Sequence, residues 1–481
     1  MPWKRPTPLE VYKYLDKSNC GKCGYQTCMA FTSDLLERKV KLQDCAHLME
    51  DPKQAKNREK LAQLIKPPQM AVEFGTGPRK AVIGGEEVLY RHELTFFNPT
   101  AIAIEVHDQL DDFEEVVKYL DGFCITRIGE ELKLDAIAVR CVSGDPDAFA
   151  EKVLAAAELT ELPLILCSWN VDALRTAALA IPDKKPLLYA ATKDNWKEVG
   201  EIAAEHGLPV VCFSTDVDEL LSVAASLRSM GVQEICLDPG TTYGPGLTTQ
   251  TFDKVYKLRL AAIREGLAEA GYPVIGVPAT VWLNADDEEK WQTHYKEAIM
   301  GVILQSIDAS MVIMRSGRNP DERWVLLAMM TFRQNIFTDP RVYPSVDPGL
   351  VEIGTPGPDS PIFVTSNYRM TKIPVEDDIK SAGIDGYLLV VDSGGIAVEA
   401  AVVGGQFTNG QIAEAIQETK VFEKVNHRIV IIPGHAARYS GALEDDANCA
   451  VLVGPRDSSG IPKMMKERWK PEEIMEEFNS R

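Results

Sequence analysis

The chain has 481 residues, 45% hydrophobic and 25% charged, a globular balance with room for more than one domain. Its 51 Lys and Arg against 71 Asp and Glu leave a net charge of −20, which argues against nucleic acid or an anionic membrane surface as the main partner. The opening MPWKRPTPLEVYKYL has no apolar h-region and no 18-residue apolar run occurs, so the sequence predicts a cytoplasmic protein without a membrane span.

Residues 1–58 read as a metal module. Pro6-Thr-Pro8 leads into a short helix, Leu9 to Leu15, and then to Cys20, Cys23, Cys28 and Cys45, spaced C-x2-C-x4-C-x16-C. Gly21 and Gly24 let the loop turn tightly, and Cys28 opens a helical run over 29–40. Four soft ligands suit a 4Fe-4S cluster or a structural zinc. The uneven spacing favours the cluster, because zinc ribbons usually carry two matched C-x2-C knuckles. Disulfides are the remaining alternative. The other six cysteines lie mostly in apolar runs and read as small buried hydrophobes. Lys13, Lys17, Lys22, Arg38, Lys39 and Lys41 make this segment locally basic. They form either a solvated face or a docking face for an acidic redox partner.

Residues 59–90 read as a linker. Pro67-Pro68, Gly75-Thr-Gly77-Pro78 and Gly84-Gly85 punctuate it. A tether of about a dozen extended residues spans roughly 40 Å, so the sequence predicts that the cysteine module moves against the remainder.

From 91 to 337 apolar, β-rich runs alternate with helical patterns. The strands are predicted at 101–106, 136–142, 163–168, 186–190, 209–213, 234–238, 273–277 and 310–315, each followed by a helix. Near-continuous apolar strands mean that both faces are covered. Eight such units predict a closed (β/α)8 TIM barrel, with a doubly wound open sheet as the alternative. Polar residues follow several strands: Glu105, His107 and Asp108; Ser168, Trp169 and Asn170; Asp238; Arg315. They either line a site for a pterin or another small ligand at the strand C-termini, or cap helices and bond one another. The stretch Gly240–Gly246 lacks the Lys-Ser/Thr ending of a phosphate loop and reads as a long connection.

Residues 338–361 are rich in Pro and Gly and read as irregular backbone. Beyond them, strands are predicted at 362–365, 387–392, 429–432 and 450–453, with helices at 376–382 and 409–422. The loops TSNYRMT (Thr365–Thr371), DSGG (Asp392–Gly395) and PGHAA (Pro433–Ala437) fall beyond the strand C-termini, where open α/β sheets hold ligands.

Taken together, the CxxCGxxxC module, the central barrel and a C-terminal α/β domain with TSNYRMT and PGHAA resemble the large subunit of the corrinoid iron–sulfur protein. Its archaeal relative is the gamma subunit of the acetyl-CoA decarbonylase/synthase complex. The resemblance runs over the whole chain. It implies four parts: a 4Fe-4S module at 1–58, a linker at 59–90, a TIM barrel at 91–337 and a Rossmann-like α/β corrinoid-binding domain at 338–481. It implies a methyl-group carrier of the reductive acetyl-CoA pathway, of methyltransferase class but dependent on separate catalytic partners. In that family a B12-type cobalt, as Co(I), accepts methyl from a methyl-tetrahydropterin and delivers it to acetyl-CoA synthase. The cobalt is the nucleophile, and no side chain is implied as catalytic.

The resemblance further implies Cys20, Cys23, Cys28 and Cys45 as cluster ligands. It implies corrinoid contacts from Thr338, from Thr365, Ser366, Asn367, Tyr368, Arg369, Met370 and Thr371, from Ser393, Gly394 and Gly395, and from Gly434, His435, Ala436 and Ala437. The implied partners are a small corrinoid iron–sulfur subunit in a heterodimer, a methyltetrahydrofolate or pterin methyltransferase, acetyl-CoA synthase, and a ferredoxin or reductive activator. Neither nucleic acid nor membrane is among them.

The Asp-x-His-x-x-Gly motif by which many B12 methyltransferases place a histidine under cobalt is absent: none of the seven histidines has Asp two before and Gly three after. Without a lower nitrogen ligand, Co(II) is easier to reduce, within reach of a low-potential cluster that then restores Co(I). Thr371 is the candidate for the residue nearest the open lower face and His435 its rival, with contact to corrin amides or phosphate as the other role for His435. Two further readings stay open: an iron–sulfur electron-transfer subunit without corrinoid, and a pterin methyltransferase acting through the barrel itself.

Overall fold

The computed structural model describes residues 4–93, 96–285, 290–337 and 344–480; Thr338, an expected corrinoid contact, lies outside them. The chain divides into two compact units. One holds the N-terminal segment and the barrel, and the other holds the C-terminal sheet together with Thr126–Glu131.

The N-terminal segment is a small helical cluster. Thr7 caps Pro8–Tyr12 in a reciprocal capping box with Glu10, and Thr27 caps Cys28–Leu36. Val11, Phe31, Leu35, Leu48 and Leu61 pack into a core of their own, with Cys23, Cys28 and Cys45 against it.

The linker expected over 59–90 is folded. Helix Ala55–Leu64 runs into an antiparallel hairpin of β1 (Ala71–Phe74) and β2 (Ala81–Gly84). Val72, Phe74 and Ile83 of this hairpin fill the inside of the barrel, beside Ala103, Ala136, Ala138 and Ile165. The small inward residues of the barrel leave room that the hairpin side chains occupy. Of the glycines that suggested a linker, Gly75 and Gly84 serve close packing. A Cβ on Gly75 would stand 2.6 Å from Pro163, and one on Gly84 2.5 Å from Pro273. Gly75 N–H donates to the Lys185 carbonyl at 2.9 Å and Met70 N–H to that of Gly271 at 2.8 Å. Met70 and Gly75 are thus bonded to the barrel in this structure, where the sequence suggested an extended tether.

The eight barrel strands fall where the apolar runs place them. They are β3 (Ala101–His107), then, after a ribbon of β4 (Cys124–Arg127) and β5 (Glu130–Lys133), β6 (Ala136–Arg140), β7 (Leu164–Cys167), β8 (Leu187–Ala191), β9 (Val210–Phe213), β10 (Ile235–Asp238), β11 (Ile275–Gly276) and β12 (Met311–Met314). They pair in parallel in the order β10-β9-β8-β7-β6-β3-β12-β11. A bridge from Leu237 to Val274 and a 2.8 Å bond from Leu237 N–H to the Pro273 carbonyl nearly close the ring. Alternation is strict: Ile102, Ile104 and Val106 face the helices, while Ala101 and Ala103 face inward.

The C-terminal unit is a five-stranded sheet in the order β13-β15-β14-β16-β17, built from β13 (Gly349–Ile353), β14 (Ile362–Ser366), β15 (Gly386–Val391), β16 (Ile429–Ile432) and β17 (Ala450–Val453). Strand β13 is antiparallel and the other pairings are parallel, with an apolar core on each face. Two expectations change here. The stretch read as irregular over 338–361 contains β13, a five-residue edge strand beginning at Gly349. The helix expected at 376–382 starts at Arg369 and carries Pro374 inside it. The TSNYRMT segment is thus a strand end and a first helical turn rather than a loop.

Among the described residues no helix is long and apolar enough to cross a membrane.

Candidate functional site

The C-terminal cleft lies beyond β14 and β16. It has a volume of about 310 Å³ and is lined by Thr365, Met370, Thr371 and His435 from the expected set, together with Pro374, Glu399, Arg456, Asp457 and Ser458. The parallel order puts the ends of β14, β16 and β17 side by side, which brings 365–371, 433–436 and 454–458 together. Pro374, inside the helix, has no N–H to give the Met370 carbonyl four residues back.

Two hydroxyls stand out. Thr365 and Ser366 are 1% and 0% exposed, and among the described residues their side-chain oxygens have no hydrogen-bond partner. A buried hydroxyl without a partner is costly, and Thr365 lines the cleft.

The DSGG loop does not line the cleft. Asn367, 5% exposed, holds it in place. Its Oδ1 accepts from Ser393 N, Ser393 Oγ and Gly395 N, each at 2.9 Å, and its Nδ2 donates to Asp392 Oδ1 at 2.9 Å. Ser393 and Gly395 are buried and Gly394 is exposed. Tyr368 precedes the helix that starts at Arg369, and Arg369 pairs with Glu130. In PGHAA, a Cβ on Gly434 would meet Arg456 N at 2.8 Å, so this loop packs directly on the chain after β17. Ala436 is fully buried, whereas Ala437 is exposed.

Sequence reasoning missed Arg456, Asp457 and Ser458. Their signal was present: Gly454-Pro455 follows β17 as Pro433-Gly434 follows β16.

The second site is the cysteine pocket. Cys20, Cys23, Cys28 and Cys45 line one small cavity with Asn19, Tyr25 and His47, and all four are free thiols. Gly21 and Gly24 take φ of +72° and +84°, as the tight loop requires. Cys28 N–H donates to Asn19 Oδ1 at 2.8 Å. Burial pushes the Cys45 thiol up, and the neighbouring Cys23, Cys28 and Cys20 thiolates push it further, against a backbone hydrogen bond from Leu48. Four cysteine sulfurs around one small cavity are a soft donor set that suits bound metal. Among the described residues no three His, Cys, Asp or Glu are grouped as ligands for a single ion.

The basic residues of the segment are partly committed within the chain. Arg38 reaches Gly85 O at 2.6 Å, Glu87 at 3.1 Å and the Phe97 ring at 3.9 Å, and Lys39 pairs with Asp34 at 3.5 Å.

A family model described as "CO dehydrogenase/acetyl-CoA synthase delta subunit" matches residues 71–465. The chain is 42% identical to "Acetyl-CoA decarbonylase/synthase complex subunit gamma" of Archaeoglobus fulgidus, over 98% of this chain and 100% of that one. The chain belongs to the acetyl-CoA decarbonylase/synthase gamma subunit family. The gamma subunit of Methanothermobacter thermautotrophicus is 41% identical over 95% of this chain and 97% of its own length. The delta-described model begins at residue 71, after the cysteines, whereas the gamma relatives align along nearly the whole chain. A second model, described as "Putative Fe-S cluster", matches residues 15–47 of this gamma-family chain, the span of all four cysteines. Among solved structures, a dihydropteroate synthase from Thermus thermophilus is similar at 14% identity and a TM-score of 0.38, over 55% of this chain and 98% of that one.

Proposed function

We propose that this chain is the corrinoid-binding, cluster-carrying methyl carrier of its complex. The observation that carries the reading is the cleft itself. In a gamma-family chain, Thr365, Met370, Thr371 and His435 meet at one opening, with the Thr365 hydroxyl buried there and unspent. A corrinoid is rimmed by amide side chains, which suit such hydroxyls and the carbonyls of a proline-interrupted helical turn.

When bound, the corrinoid supplies a cobalt nucleophile for methyl transfer from a methyl-tetrahydropterin on a separate methyltransferase to acetyl-CoA synthase, and a 4Fe-4S cluster supplies the electron that restores its reduced state. The chain's residues bind and orient. Thr365 offers its hydroxyl, Met370 and Thr371 form the helical wall, and the PGHAA loop forms the opposite wall. Thr371, rather than His435, is the candidate for the cleft residue that would face the metal, and a hydroxyl would be too weak a ligand to hold its oxidised states. Asn367 keeps the DSGG loop from collapsing into the cleft. Cys20, Cys23, Cys28 and Cys45 hold the cluster. The partners in this reading are a small corrinoid subunit, the methyltransferase, acetyl-CoA synthase and a ferredoxin or reductive activator.

The test is the visible spectrum and metal content of anaerobically prepared full-length chain after incubation with a cobamide. Corrin absorption with about one cobalt per chain, lost in a Thr365→Val, Thr371→Val double variant that stays folded, supports the reading. Iron without any retained corrin points instead to an electron-transfer subunit.

A further inference from the structure

The barrel mouth carries a second cavity, formed within the barrel unit and separate from the cleft and the cysteine pocket. It opens at the C-terminal ends of β8 to β11 and has a volume of about 430 Å³, inside the range of roughly 300–1,000 Å³ typical of small-molecule sites.

Most of the polar residues at the other strand ends are committed to one another. Glu105 pairs with Arg140 at 2.7 Å and with Arg318. Asp108 accepts from Val142 N at 2.8 Å, and Asn170 caps Val171–Ala180. Asp238 differs. It ends β10, is 1% exposed and lines the cavity. Oδ2 accepts from the Tyr189 hydroxyl at 2.6 Å and Oδ1 from Gly240 N at 2.8 Å. A carboxylate has about four lone-pair positions, so each oxygen keeps one to offer. Burial pushes its pKa up to about 6, against the bonds from Tyr189 and Gly240 and the charge of Lys254. A carboxylate so desolvated is stabilised by further donors.

The walls fit a flat ring. Tyr189 and Phe213 line the cavity, and the Trp169 ring lies 5.2 Å from that of Phe213 and 6.1 Å from that of Tyr189. Lys296, half-buried in the same wall, has no ion-pair partner among the described residues. A two-toothed acceptor, aromatic sides and an unpaired ammonium together select a planar ligand with paired donors on one edge and a carbonyl nearby.

We propose that the barrel mouth is a ligand site for a heterocycle with a ring N–H beside an amino group and a carbonyl, the 2-amino-4-oxo edge common to pterin and guanine rings. Asp238 receives the two donors, Tyr189 and Phe213 flank the ring, and Lys296 faces the carbonyl or an anionic substituent. All of these residues belong to the barrel unit.

Isothermal titration of the full-length chain with 2-amino-4-oxopteridine, guanosine and adenosine tests this. Binding of either of the first two is expected, with adenosine, whose edge pairs a donor with an acceptor, at least about tenfold weaker. Stronger pteridine binding identifies a pterin source and stronger guanosine binding a nucleotide source. Asp238→Asn is expected to weaken binding at least about tenfold. Leu247→Trp, at a partly exposed lip of the cavity, is expected to abolish binding without touching the buried carboxylate, so a poorly folding Asp238→Asn does not leave the matter open. The proposal is overturned by no heat from either ring up to about 1 mM, weaker than any working site of this kind, by adenosine binding as tightly, or by binding that Leu247→Trp leaves unchanged.

Discussion

Asn367 and Ser393 are bonded twice, 26 residues apart in sequence: Asn367 Oδ1 accepts from both the amide and the hydroxyl of Ser393 at 2.9 Å. The Asn367 side chain also bonds Asp392 and Gly395, so one amide joins the end of β14 to the loop after β15. Replacing Asn367 by Ala strands buried donors on Ser393 and Gly395. A loss of about 2–4 kcal/mol in unfolding free energy of the C-terminal unit is expected, read by denaturant titration. Retained corrinoid should fall in parallel.

Glu86 predicts a pH dependence of stability. It is 2% exposed, and its carboxylate accepts from Phe97 N at 3.1 Å and Asn98 N at 3.0 Å. Burial raises its pKa from 4.5 to about 7, against those bonds and the charges of Arg38 and Arg259. A raised acid pKa means that the folded state binds the proton more tightly than the unfolded one. Its contribution is therefore present below 4.5 and lost as pH rises through about 7, amounting to about 3 kcal/mol at most. Glu86→Gln should flatten the fall in Tm between about pH 5 and 8; an unchanged slope assigns that fall to other groups.

Glu87 ties the cysteine segment to the barrel. It is 6% exposed and pairs with Arg5 and Arg38, each at 3.1 Å. Glu87→Ala removes this carboxylate from two guanidinium groups, of which Arg5 keeps Glu37 at 3.4 Å, a cost of about 2 kcal/mol given their partial exposure. Hydrogen exchange should quicken across the helices from Pro8 to Leu64 and stay unchanged in β6 to β9.

Cys45→Ser tests whether the two proposed cofactor sites are independent. Iron content and cluster absorption should drop sharply, because one of four thiolate donors is lost, while cobalt retention remains at its original level. Loss of cobalt along with iron would mean that the two sites are not independent.

The barrel was legible because its strands are apolar on both faces. Ile102, Ile104 and Val106 interleave with Ala101 and Ala103, and such runs have few other readings. The hairpin 71–84 was not, since AVEF and AVIG are only four residues each and lie among glycines and prolines that also mark linkers. Whether a glycine loosens a chain or lets it approach Pro163 is a tertiary fact. The cleft was half legible. Strand-end motifs marked Thr365, Thr371 and His435, but the structural role of Ser393 depends on Asn367, a partner far away in sequence. Of the acidic and polar residues at the barrel mouth, nothing in the sequence set Asp238 apart from Glu105, because only the fold gives Glu105 its two arginines.

Electron paramagnetic resonance of the cobalt(II) form, in anaerobically prepared chain loaded with a cobamide, tests directly whether the C-terminal cleft holds a corrinoid with no protein imidazole beneath the metal. The predicted result is a cobalt signal without nitrogen splitting, the same in wild type and in His435→Ala. A nitrogen-split signal that disappears in His435→Ala, or no bound cobalt at all, would contradict it.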